Sequence, residues 1–521
     1  MATFSITTLP AWQQLCALSA AMKAQRIAEL FTQHPARTKH FEFASTHLRL
    51  NIARQCLEQK TLDRLLTLAS QMGLVEGIER FFAGEQLNFT EQRAVAHMAA
   101  RFSMADADAL QHAAQKNLSK METFVRKFHA GALLGATGKP LKAVVSIGIG
   151  GSDLGPRLLT QALMAGQRTL VPIYFVASVD PTDLTEALLD LNPQETLFII
   201  SSKSFTTPET LSNAHHARQW LMQTLGGACK ESALMSHFVG ITNNHLAAHH
   251  FGIAQEQIFD LPTAVGGRFS VWSTVGLSAM LAIGVERFRD FLAGGKSMDN
   301  HFSTTPLTHN LPVLMALVAL WNSQFLGVET LAVLPYSHAL RGFPAYLQQL
   351  EMESNGKAVD RDGQALACHT AQIVWGAAGT NGQHAFHQLF YQGTRRCALD
   401  FIVPTTFYDS AQQALLINAQ AQAQALIEGQ NLETSQALLR TQGKNEEEVH
   451  RLAPHLISPG NQPSSMLFFE TLTPQVLGEL IALYEHKVFV LGWLWGINSF
   501  DQFGVELGKD MARKAEMGAQ Q

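Results

Sequence analysis

The chain has 521 residues, with no low-complexity tail and no cysteine-rich block, a length that suggests two or three domains. Apolar residues make up 46% and charged residues only 16%, against a typical charged share of about 25%, so much surface is expected to be hidden in large cores or in a subunit contact. Lys and Arg total 38 and Asp and Glu 43, a formal net charge of −5, which gives no basic stripe for a nucleic acid. The five cysteines, Cys16, Cys56, Cys229, Cys368 and Cys397, are scattered and form no C-x-x-C. That pattern fits reduced thiols in the cytoplasm rather than a disulfide framework or a zinc site. The start of the chain lacks a basic segment followed by an apolar one. Its greasiest stretches, 311–321 and 488–497, fall short of the roughly 20 apolar residues of a membrane span. The expectation is a cytoplasmic protein with no membrane and no nucleic-acid partner.

Up to about residue 130 the pattern predicts helices, with apolar residues at spacings of three and four such as Leu62, Leu65, Leu66 and Leu68. From there short apolar runs alternate with helical segments. Runs at 143–147, 173–177, 197–200, 238–242 and 258–259 are mostly continuous rather than alternating, as in strands buried on both faces of a parallel sheet. Their spacing suits β-α-β units. After a helical stretch at about 272–325, a second set follows at 330–334, 371–375, 398–403 and 466–469, with a long Ala/Gln/Leu-rich helix predicted over 411–433. Thr473-Pro474 reads as a cap and first residue of another helix. The fold class is therefore α/β, with two parallel-sheet domains in tandem. Ligand sites in such sheets lie outside the carboxyl ends of the strands.

Six segments stand there. Ser146-Ile-Gly-Ile-Gly-Gly-Ser-Asp-Leu-Gly155 follows a strand and opens a helix, so its glycines and free N–H groups suit an anion. It is not a dinucleotide fingerprint, because Asp153 occupies the third glycine position. P-loops fail too: Pro140 follows Gly138-Lys139, and Asp290 stands where Gly295-Lys296-Ser297 would need its first glycine. Ser201-Ser-Lys-Ser-Phe-Thr-Thr-Pro-Glu-Thr210 offers hydroxyls and one lysine at a second helix start, either as a phosphate cradle or as an ordinary cap run. Gly266-Gly267 precedes Arg268, whose permanent charge could steady an oxyanion. Glu351 and Glu353 are two apart near the end of a predicted helix, so at most one faces a pocket. His384 follows a strand's carboxyl end and is expected to open a helix. Gln502 and Lys509, seven apart, would share one face of a further helix.

Taken in order, these segments resemble the glucose-6-phosphate isomerase family, also called the phosphoglucose isomerases. The stretches are Gly-Gly-Arg-Phe-Ser at 266–270, Phe500-Asp-Gln-Phe-Gly-Val-Glu-Leu-Gly-Lys509, and matches at 148–156, 202–210, 348–357 and 379–386. The resemblance implies two three-layer α/β/α sugar-isomerase domains of the SIS type: a helical region at 1–115, α/β domains at 116–280 and 281–498, and a helical tail at 499–521. It further implies an aldose–ketose isomerase and a homodimer, with Gly151, Ser152, Ser202, Lys203, Ser204 and Thr207 holding a phosphate. Glu353 is then similar to the family's base and Arg268 to the residue that steadies the enediolate. His384, from the other subunit, and Lys509 resemble the ring-opening groups, and Gln349, Gln502 and the Gly267 backbone would line the sugar. Ser204, Pro208, Phe503 and Leu350-Glu351 depart from the usual Thr, Gln, Trp and Gly-Asp. No metal and no organic cofactor are expected. A sugar-phosphate sensor would need only the phosphate loops, not Glu353, Arg268, His384 and Lys509 together.

Overall fold

The computed structural model describes residues 5–101, 108–407 and 409–519; residues 1–4 and 102–107 of the N-terminal region, residue 408 and the last two of the tail lie outside it. Two sheets organise the chain. A hairpin of β1 (Glu42–Ala44) and β2 (Leu48–Asn51) comes first. The five-stranded sheet contains β3 (Ala143–Ile147), β4 (Ile173–Val176), β5 (Thr196–Ser201), β6 (Phe238–Thr242) and β7 (Ile258–Asp260), ordered β4-β3-β5-β6-β7. All its pairs are parallel. The second sheet adds β8 (Thr330–Pro335), β9 (Ile373–Gly376), β10 (Ala398–Pro404) and β11 (Ser464–Phe469), in the order β1-β2-β11-β10-β8-β9. Its four later strands pair in parallel and β2 joins β11 antiparallel. Strands β3, β5 and β6 are buried along their whole length, as their unbroken apolar runs require.

Three differences from the sequence reading have physical causes. The N-terminal region is not helical throughout, because β1 and β2 cover the otherwise open edge of β11. A partner far away in the sequence, with Asn51 set against Met466, and not local propensity, makes these strands. The strand anticipated at 371–375 begins two residues late, since Ala371 adopts a left-handed φ of 37°. The long helix over 411–433 is two helices, Ser410–Glu428 and Leu432–Thr441. Gly429, at φ 69°, ends the first, and the Asn431 side chain accepts from the Thr434 N–H to start the second.

The helix Pro474–Trp495 runs through the centre of the molecule and is buried at every residue from Val476 onward. It starts as anticipated, with the Thr473 hydroxyl accepting from the Val476 N–H at 3.2 Å and Pro474 in the first helical position. It crosses the helix Val285–Thr304 at glycines on both sides. A Cβ on Gly294 would run into the Gln475 carbonyl, and one on Gly478 into the Phe291 carbonyl. The same helix buries Glu485, His486 and Lys487, which burial permits only because each is partnered. Arg101 makes a fork on Asp299 at 2.7 and 2.9 Å and reaches Glu485 at 3.2 Å. Glu485 also accepts from the Trp272 indole at 2.7 Å, His486 meets Asp299 at 2.8 Å, and Lys487 donates to Glu351 at 2.8 Å.

The close crossing has a measurable cost if disturbed. Gly478→Ala is expected to lower stability by about 1–3 kcal/mol in urea titration. Gly227→Ala, where an added Cβ meets nothing within 4 Å, is expected to be neutral or slightly stabilising.

Candidate active site

Strand β3 delivers the first loop. Gly150, at φ 59°, turns the chain into the helix Gly151–Leu163. Gly151 has no space for a side chain, since a Cβ there would run into the Gly267 carbonyl, so the loop at 148–152 lies backbone to backbone against the loop carrying Arg268. A Cβ on Gly148 would lie 2.8 Å from Ser152 Cβ and 3.3 Å from the Ser201 carbonyl, which puts the first loop beside the second.

The second loop leaves β5 and enters the helix Pro208–Leu225. The cap reading of its hydroxyls does not hold: the Thr207 side chain at the helix start makes no capping hydrogen bond, and its Oγ1 instead meets Ser202 Oγ at 2.9 Å. Ser204 Oγ pairs with Thr206 Oγ1 at 2.7 Å, over a turn in which buried Phe205 takes φ 52°. Lys203 Nζ donates to the carbonyls of Thr263 at 3.1 Å and Val265 at 3.2 Å, tying this loop to the one that carries Arg268. Burial, and then the nearby charge of Arg93, pulls the Lys203 ammonium below its ordinary pKa. Two helix starts with short hydroxyls and one ammonium thus lie side by side, a chemistry that suits a phosphate.

Arg268 is the centre of the remaining groups and is only 2% exposed. Its Nε donates to Ser354 Oγ at 2.6 Å and Nη1 to Gln502 Oε1 at 3.2 Å. Nη2 donates to the carbonyls of Ser499 at 2.6 Å and Asp501 at 3.1 Å. Glu353 Oε1 stands 3.4 Å from Nη1. Burial draws the guanidinium down to about 10, against the opposing pull of Glu353 and Asp501, so it stays charged at neutral pH. The choice between the two carboxylates is decided by direction. Both sit in the π-helical turn Gln348–Glu353, but Glu351 points into the core onto Lys487, whereas Glu353 points to Arg268 with 24% of its side chain exposed. Gln349 Nε2 lies 3.0 Å from the position of a Cβ on Gly150, and its Oε1 is buried without a hydrogen-bond partner among the described residues. An unmet acceptor there suits a ligand hydroxyl.

Two residues are not brought in. His384 closes the short helix Gly379–Gln383 instead of opening one, and the next helix begins at His387. It is exposed and makes no hydrogen bond to Glu353 or Arg268 among the described residues. Gln502 and Lys509 do not share a helical face. Gln502 has φ −152°, in a segment whose carbonyls are taken by Arg268, and the tail helix Glu506–Ala519 starts only after it. Lys509 is exposed there and pairs with Glu506 at 2.8 Å. The structure also adds groups the sequence did not mark. Thr90 Oγ1 donates to Asp501 Oδ2 at 2.6 Å, and Asn498 Nδ2 donates to Asn88 Oδ1 at 2.9 Å and Thr90 Oγ1 at 2.7 Å. The N-terminal region therefore braces the segment that seats Arg268. Among the described residues no group of three or more His, Cys, Asp or Glu is arranged to hold a metal, and no helix is long and apolar enough to cross a membrane.

Comparison with known proteins places this geometry in context. The family profile of phosphoglucose isomerase matches residues 51–521. A glucose-6-phosphate isomerase of Aromatoleum aromaticum is 53% identical over 517 residues, covering 98% of this chain and 94% of the relative. One from Deinococcus deserti is 45% identical over 530 residues, covering 99% and 95%. The crystal structure of a glucose-6-phosphate isomerase from Chlamydia trachomatis superposes with a TM-score of 0.86 at 30% identity, covering 99% of this chain and 97% of that one.

Proposed function

The chain belongs to the phosphoglucose isomerase family, and on that premise we propose that Glu353 carries a proton between C2 and C1 of a hexose 6-phosphate while Arg268 holds the charge that develops. The enzyme is an aldose–ketose isomerase that interconverts glucose 6-phosphate and fructose 6-phosphate, in glycolysis and gluconeogenesis. The observation that carries the mechanism is the 3.4 Å approach of Glu353 to a buried guanidinium next to two phosphate-type loops.

The steps follow from the chemistry. The phosphate is held by Gly151, Ser152, Ser202, Lys203, Ser204 and Thr207, remote from the reacting carbons, so its binding energy fixes the sugar. Glu353 takes the C2 proton of the open-chain aldose, and the electron pair forms the C1–C2 double bond as negative charge moves onto O1. Arg268 stabilises that enediolate, a term of about 10²–10³ in rate for one well-placed donor. The same carboxyl returns the proton to C1 while the O2 proton passes to O1, giving the ketose. A positioned base contributes roughly 10²–10⁴. Gln349, Gln502 and the Gly267 backbone line the sugar. Charge is met by a side chain throughout, so no step calls for a metal or an organic cofactor.

Ring opening is assigned to His384 and Lys509. His384 is exposed and makes no hydrogen bond to Glu353 or Arg268 of its own chain among the described residues, which supports a homodimer in which each subunit supplies this histidine to its neighbour. The tail supports the same reading, because Phe503, Val505, Leu507 and Met511 leave an apolar surface beside Lys509. The division into domains at 116–280 and 281–498 is supported by β3–β7 lying within the first and β8–β11 within the second, although the limits at 115 and 280 fall inside the helices Asp108–His129 and Leu277–Ile283. A cytoplasmic place is supported by five free cysteines.

Glu353→Gln is expected to lower kcat by about 10²–10⁴ while glucitol 6-phosphate still binds, measured by coupled assay and calorimetry. Near-normal turnover would put the base elsewhere. Mixing equal amounts of inactive Glu353→Gln and His384→Ala subunits is expected to restore about a quarter of wild-type activity, since half the dimers are hybrids with one intact site. No recovery after proven subunit exchange would mean that each site is built from one chain.

A further inference from the structure

Lys357 lies four residues beyond the base and is absent from every role assigned above, yet its ammonium is fully engaged. Nζ donates to the Glu353 carbonyl at 3.0 Å, the Ser354 carbonyl at 2.9 Å and the Asp501 carbonyl at 3.1 Å, and pairs with Asp501 Oδ1 at 3.3 Å. An ammonium has three N–H groups, so none is left for a ligand. The first two acceptors belong to the end of the helical stretch that carries Glu353, where carbonyls lack partners within the helix. The third, the Asp501 carbonyl, also accepts from Arg268 Nη2 at 3.1 Å. One cation therefore joins the peptide of the base to the peptide that seats the guanidinium. Asp501 is itself fixed from the far side by Thr90. Burial, and then repulsion from Arg268, pulls Lys357 below its ordinary pKa, while Asp501 opposes this. A lysine kept there against those forces is held by its acceptors.

We propose that Lys357, acting through Asp501, is a positioning residue that sets the separation of Glu353 from Arg268 without touching the sugar. The proposal rests on the reading of Glu353 as the base. A misplacement of about 1 Å in a reacting group costs on the order of 10²-fold in rate, and the phosphate loops, which fix the rest of the substrate, are anchored elsewhere. The loss should therefore fall on turnover and spare binding.

The test is steady-state kinetics on Lys357→Met, Lys357→Arg and Asp501→Asn, with fructose 6-phosphate as substrate and glucitol 6-phosphate as inhibitor. Lys357→Met is expected to lose about 10–100-fold in kcat, with KM and the inhibitor constant within about twofold of wild type. Lys357→Arg keeps the charge but cannot fan three donors from one atom, so it should recover part of that loss. Asp501→Asn, which keeps the carbonyl, should lose less than Lys357→Met. If Lys357→Met does not fold, Lys357→Arg carries the test and must lower kcat at unchanged KM. The proposal is overturned if kcat per folded site stays within about threefold of wild type, or if the loss appears in KM and the inhibitor constant. Glu353→Gln in the same assay separates the two ideas. Normal activity there removes the base assignment itself. An inactive Glu353→Gln beside a normal Lys357→Met removes only the role of Lys357.

Discussion

A guanidinium can be taken out of water only where its N–H groups meet acceptors, and Arg268 dictates how much of the chain must converge to supply them. Its partners are one serine hydroxyl, one amide oxygen and two main-chain carbonyls, all neutral, with Glu353 as the nearby carboxylate. These come from the turn at 348–354 and the segment at 499–502, far apart in sequence. Because neutral groups do most of the holding, the positive charge is not cancelled at rest. It remains available to an anion formed beside it, which is the requirement for preorganised electrostatic stabilisation.

What brings the two segments together is the central helix Pro474–Trp495. It ends at Gly496, in left-handed conformation at φ 70°, which turns the chain back toward Arg268. Asn355 Nδ2 donates to the Val488 carbonyl of that helix at 3.0 Å, and its Oδ1 accepts from Ser499 Oγ at 2.7 Å, so one amide links the helix, the segment carrying Glu353 and the seat of the guanidinium. Lys487, on the same helix, removes Glu351 into the core and leaves the next carboxylate free to serve the site. The buried ions of this helix cost desolvation energy that their close partners offset. The glycines at the crossing with the helix Val285–Thr304 give that arrangement its close approach.

The parts legible in the sequence are those in which local pattern and final environment agree. Continuous apolar runs marked β3, β5, β6, β8, β10 and β11, whose residues are almost all buried, and marked the half-exposed edge strands β4 and β9 less closely. Loops at strand ends marked Ser152, Ser202 and Arg268, whereas the pair Glu351 and Glu353 at a helix end was parted in the sequence only by the family resemblance. What escaped depends on partners distant in the chain. The hairpin β1–β2 exists because β11 offers an edge. Thr90 and Asn88 stand in a polar turn with no sequence signal of its own. Gln502 and Lys509 have helical spacing, but the carbonyls of Ser499 and Asp501, just before Gln502, are recruited by Arg268 and Lys357, Gln502 itself is non-helical at φ −152°, and the tail helix begins only at Glu506. The π-helical turn that parts Glu351 from Glu353 leaves no mark in the pattern of apolar residues.

The most direct test of a guanidinium held ready for an enediolate is the affinity of two phosphorylated analogues for wild type and for Arg268→Met, provided the variant melts cooperatively. One analogue is glucitol 6-phosphate, neutral at C1 and C2; the other is a five-carbon phosphorylated hydroxamate whose ionised group imitates the enediolate. The account predicts that Arg268→Met loses at least about 10²-fold in hydroxamate affinity while glucitol 6-phosphate changes by less than about threefold. Equal losses for both ligands, or an unchanged hydroxamate affinity, would contradict it.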